Sequence, residues 1–140
     1  MATEAFIIDT SERSIVKVTF PATYTEAELT DGLAELDGII RAQGQQPWSL
    51  VIDLSLRSGS SSITRKVLAD WIREREALFR STCRGWALVA RNQLVRGAIT
   101  AIFWIMKPGW PIQVVVEREE AEALARSMLT AAPADARPTA

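Results

Sequence analysis

The chain has 140 residues, 48% of them hydrophobic, and a formal charge of −1 at neutral pH. That length suits one domain with a real core and is short for two. It holds no histidine and one cysteine, Cys83. Histidine general bases, histidine-oriented nucleophile triads and histidine metal sites are therefore excluded. So are an intramolecular disulfide and a metal site built on thiolates of one chain. These exclusions point to a protein without metal or cofactor, in the reducing cytoplasm. No basic stretch followed by an apolar one opens the chain as in a signal peptide. The longest apolar stretch, 97–106, is interrupted by Thr100 and is about half of what a membrane span needs.

The small net charge hides an asymmetry. Residues 1–56 carry nine acids against Arg13, Lys17 and Arg41, a net of −6. Residues 57–107 carry ten bases against Asp70, Glu74 and Glu76, a net of +7. Thirteen of the sixteen bases are arginine, the side chain suited to bidentate contact with carboxylate or phosphate. The two halves can fold against each other as surface pairs, or the basic part can meet an anionic ligand or acidic partner. Spread-out bases in a slightly acidic chain argue against nucleic acid.

Taken in chain order, Ala5 to Asp9 and Ser14 to Phe20 read as a hairpin around the polar Thr10-Ser11-Glu12-Arg13, and Pro21 ends the second strand. Thr25 and Glu28 have the spacing of a capping box, with Leu29, Leu33, Leu36 and Ile40 recurring at helical spacing behind them. Gly44 and Pro47 stop that helix. Trp48 to Leu54 is a buried central strand. Ile63 to Arg80 is one helix with an apolar stripe, and Arg75, falling inside the stripe, should lay its stem there and keep its head in water. Gly85 to Ala90 is a strand, and Asn92 caps a helix from Gln93 to Met106 that is apolar almost all round. Ile112 to Val116 and Glu117 to Leu129 supply a last strand and helix. The expected fold is a single-domain α/β protein over residues 1–130. It has a mixed, mostly parallel five-stranded sheet, about four helices and the order β-β-α-β-α-β-α-β-α. Residues 131–140 make a flexible, Ala/Pro-rich tail.

The strand ending Val51-Ile52-Asp53-Leu54-Ser55 runs into Leu56-Arg57-Ser58-Gly59-Ser60-Ser61-Ser62 and a helix start. Helix starts leave backbone N–H groups unpaired and carry partial positive charge. Ser60, Ser61 and Ser62 can cap that helix, and Arg57 and Arg65 flank it. Together they could receive a phosphate, covalent on a serine or part of a ligand; equally, one serine caps and the others fill a solvated turn.

The element order, with Asp53-Leu54-Ser55 closing the third strand and a Ser/Gly loop opening the next helix, resembles the STAS domain. That family includes the anti-sigma factor antagonists of bacteria and the cytoplasmic tails of sulfate transporters. In the antagonists an Asp-Ser-Ser-Gly motif at the helix start carries a serine phosphorylated by a partner kinase. Here no acid stands beside the serines, and Gly59 precedes them. The resemblance implies a non-enzymatic regulatory domain that meets a protein partner along residues 53–65, with Asp53, Ser55, Ser58 and Gly59 on that edge.

A second surface is Phe103, Trp104 and Trp110 beside Lys107, read either as core under the last helix or as a homodimer or ligand face. Five tryptophans and the apolar helix also allow a small carrier of an anionic or lipid-like ligand.

Overall fold

A computed structural model describes residues 6–59 and 61–130; Ser60 and the expected tail, 131–140, lie outside them. The elements are β1 (Ile7–Asp9), β2 (Ile15–Thr19), α1 (Glu26–Ala42), β3 (Trp48–Asp53), α2 (Ser62–Glu74), α3 (Glu76–Thr82), β4 (Cys83–Val89), α4 (Gln93–Met106), β5 (Ile112–Val115) and α5 (Arg118–Thr130). The expected order holds, with one helix more.

Local chemistry sets several boundaries. The Thr25 N–H donates to Glu28 Oε1 at 2.7 Å and the Glu28 N–H to Thr25 Oγ1 at 3.1 Å, a closed capping box at the start of α1. Asn92 Oδ1 accepts from the Leu94 and Val95 N–H groups and starts α4. Gly44, at φ 64°, takes the left-handed turn past α1 that other residues resist.

The helix expected from Ile63 to Arg80 is instead two, broken at Arg75. There the backbone leaves helical geometry, at φ −113° and ψ 15°. The Arg75 head is not in water. Its Nε donates to Asp37 Oδ1 at 2.6 Å, its Nη1 donates to the Trp71 carbonyl at 3.0 Å, and the guanidinium lies 4.6 Å over the Trp71 ring. This long-range pair draws the acidic and basic halves together and overrides the helical pattern.

The strands lie side by side in chain order, β1 antiparallel to β2 and the others parallel. Each parallel crossover is right-handed as a rule and steps the same way, so every crossing helix falls on one face. There Val16, Val18, Leu50, Trp86 and Leu88 pack on Leu29, Leu33, Leu36, Ile40, Ile72, Phe79, Val95 and Ile99. Each such fully buried side chain stabilises the fold by about 1.5–3 kcal/mol. Among the described residues only α5, after the last strand, covers the reverse face, where Ala121 and Ala125 meet Ile15, Val51, Ala87 and Val89. Gly85, at φ 154°, lets α5 come close: a Cβ there would stand 2.5 Å from Met128 Sδ.

Candidate functional site

The loop from β3 to α2 lies at the carboxyl end of the parallel strands, where open α/β sheets place their sites. Its first turn is fixed by Asp53, whose Oδ1 accepts from the Ser55 N–H at 2.9 Å. Arg57 then braces the rest. Its Nη1 donates to the Ala22 carbonyl at 2.7 Å, its Nη2 to the Gly59 carbonyl at 2.9 Å, and its guanidinium lies 4.2 Å over the Tyr24 ring. These contacts tie the loop to the segment before α1.

Ser61 is the cap of α2. Its Oγ accepts from the Thr64 N–H at 3.1 Å and pairs with Thr64 Oγ1 at 3.1 Å. Ser58 and Ser62 are exposed, and Ser55 and Gly59 are half-buried. Leu56 and Ile63, which the motif reading passed over, are exposed beside them, at 56% and 58%. A large apolar residue among serines was the available signal.

Asp53 does not lie on this edge. It is 6% exposed and faces the reverse side of the sheet. Its Oδ2 accepts from Arg118 Nη1 at 3.0 Å, and the same nitrogen donates to Thr19 Oγ1 at 3.0 Å. Burial acts to raise its pKa, but hydrogen bonds from Ser55 and Arg118 outweigh that and hold the carboxyl below its usual range. Arg118 also donates to Glu122 at 3.0 Å, and Lys17, buried under α5, pairs with Glu122 and Glu12 at 3.4 and 3.0 Å. The strand alternation puts Asp53 on the face of Ser49 and Val51; which helix covers that face is decided by the whole strand order.

Between α2 and α4 runs a groove of about 390 Å³ lined by Ser62, Arg65, Lys66 and Arg73 over a floor of Ala69, Ala101 and Ile102. Lys66 and Arg73 both pair with Asp70, at 2.8 and 3.4 Å. Arg65 also reaches a cavity of about 40 Å³ under the serine loop, among Phe20, Leu54, Leu68, Val95 and Ile99, room for about one water.

Phe103, Trp104 and Trp110 do not form one surface. Trp110 is 6% exposed, in an aromatic cluster with Phe79 and Trp86 at centroid distances of 5.1 and 5.3 Å. Phe103 is half-buried against Trp86 at 6.2 Å. Trp110 is core and Phe103 packs against that core, so the three do not make one dimer or ligand face; of them Trp104 alone points out. Cys83 is buried and its thiol is pushed up to about 12 by desolvation, so it is inert. Among the described residues no group of three or more acids and Cys83 is placed to hold a metal ion, and no helix is long and apolar enough to cross a membrane.

No family model matches the chain, and no curated protein matches it. Solved structures do. One is the crystal structure of an uncharacterized protein of the DUF3478 family with a SpoIIAA-like fold, from Shewanella loihica PV-4. It is 12% identical to this chain, with a TM-score of 0.59, over 89% of this chain and 98% of that one. The chain thus has a SpoIIAA-like, STAS-like fold, as its element order and Asp53-Leu54-Ser55 led one to expect.

Proposed function

We propose that the chain is a non-enzymatic regulatory module of the cytoplasm that binds another protein along the loop after β3 and the first turn of α2. The observation that carries this reading is the pair Leu56 and Ile63. Two large apolar side chains stand in solvent on a loop braced by Arg57 and by the Asp53–Ser55 turn. Burying such side chains is what an interface gains most from, and a braced loop loses little entropy on binding. The STAS-like fold supports the choice of this edge. Catalysis has no support there, since among the described residues no base adjoins the serines.

Affinity capture from cells of origin, read by mass spectrometry, tests it. Parent protein should retain a specific partner that a Leu56→Asp, Ile63→Asp variant loses. Identical protein sets from both reject the edge. Phosphopeptide mapping of the same samples reports on Ser58, Ser60, Ser61 and Ser62.

A second reading rests on the groove between α2 and α4. Cations along one wall and an apolar floor fit an anionic amphiphile. Native mass spectrometry of the purified protein should then show added mass that a Lys66→Glu, Arg73→Glu variant lacks.

A further inference from the structure

The acidic first part of the chain and the basic middle meet at Asp37 and Arg75. Three acids of α1 take no part in such pairing. The helix carries five acids against Arg41, a net of −4. Among the described residues no cation pairs with Glu26, Asp31 or Glu35, and all three are exposed. Asp31 and Glu35 stand one turn apart, a like-charge spacing that costs helix stability.

Beside these acids runs a groove of about 330 Å³ between α1 and α2. Leu33 and Ala34 of α1 and Val67 and Trp71 of α2 line it, and Asp70 and Glu74 stand on its α2 rim. Ile63, Val67 and Trp71 follow at steps of four along α2, so the groove opens onto the exposed Ile63. The cations nearby are already engaged, Arg75 by Asp37 and the Trp71 ring, Lys66 and Arg73 by Asp70. An apolar floor beside an acidic helix is complementary to a helix with one apolar face edged by lysine or arginine. Apolar anchors one turn apart on α2 match such a helix lying along the groove. We propose that the partner bound at Leu56 and Ile63 docks a basic amphipathic helix in the groove between α1 and α2. The inference rests on that partner edge and adds the chemistry of what binds there.

Fluorescence anisotropy with a labelled leucine–lysine peptide tests it. The peptide is about 18 residues long and patterned as an amphipathic helix, with a scrambled peptide of the same composition as control. At about 0.15 M salt the parent should bind the patterned peptide, and the scrambled one about 10-fold or more weakly. Glu26→Gln, Asp31→Asn and Glu35→Gln combined should weaken binding about 10-fold and flatten its salt dependence. Ala34→Arg, which puts a cation into the groove from an exposed position, should weaken it as much, with both variants keeping the parent's circular dichroism. The Trp71 indole N–H, assigned by Trp71→Phe, should shift in the nitrogen–proton correlation spectrum of the titrated parent. No binding by the parent, equal binding of the two peptides, or a triple variant that binds as the parent does overturns the proposal. Affinity capture separates the groove from the edge. A partner lost by Leu56→Asp, Ile63→Asp but kept by Ala34→Arg overturns the groove and leaves the edge standing; one kept by every variant rejects both.

Discussion

Asp53, at the end of β3, accepts a hydrogen bond from Arg118 of α5 at 3.0 Å, on the side of the sheet away from the serine loop. Its other oxygen holds the Ser55 N–H. One carboxylate thereby couples the loop to the helix on the opposite face. Asp53→Asn should destabilise the protein by about 1–3 kcal/mol, measured by urea unfolding. Arg118→Met removes the same contact from the other side, so the double variant should cost clearly less than the two single costs added. Simple additivity would show that the pair is not coupled.

Acid should unfold the protein through its carboxylates. The guanidinium of Arg126 and the ammonium of Lys17 hold Glu12 at about 2, against an ordinary 4.5; Asp53 and Glu122 are also lowered. The unfolded chain therefore takes up more protons than the fold as pH falls. The stability these groups contribute is complete above about pH 5 and drains away as pH falls, in the case of Glu12 toward its folded value of about 2. With no histidine in the chain, the melting temperature should stay level from about pH 6 to 8. Glu12→Gln should make the acid limb shallower; curves of identical slope would contradict this.

Arg75→Lys should behave as a loss. Lysine keeps the charge but has neither the fork that reaches Asp37 and the Trp71 carbonyl nor the plane that stacks on the indole. A cost of about 1–2 kcal/mol is expected in urea. Arg75→Ala should cost no less. A lysine variant as stable as the parent would leave only charge at this position.

Gly85→Ala should cost about 1–3 kcal/mol, because the new methyl meets Met128 at 2.5 Å and the Pro111 carbonyl at 3.2 Å in a backbone region glycine prefers. Met128→Ala should relieve part of that cost when combined with it, since the sulfur is the nearer obstacle. If the pair is no better than the sum of the single changes, the strain lies in the backbone alone.

What the chain showed of itself depended on the range of the interaction. The Thr25–Glu28 box and the Asn92 cap are three-residue matters, and both stand where the residues say. The strands were readable as apolar runs, and their order with the helices carried the fold. The break at Arg75 answers to Asp37, 38 residues away, and no local pattern contains it. Asp53 looked like a member of the serine loop because they adjoin in sequence; its partner arrives with the last helix, 65 residues on. Along α4, the inward row of Val95, Ile99 and Ile102 already implied that Trp104 faces out, whereas Trp110 sits in an irregular turn where no periodicity applies.

The placing of α5 on the reverse face has a consequence for synthesis. A chain emerging from the ribosome has made all five strands before α5 exists, so that side of the sheet waits uncovered. It is furnished for waiting: Lys17, Thr19, Ser49 and Asp53 stand among its apolar residues, and water can serve them until Arg118, Glu122 and the Ala125 carbonyl take over. A face of valine and isoleucine alone would meet other nascent chains in that interval.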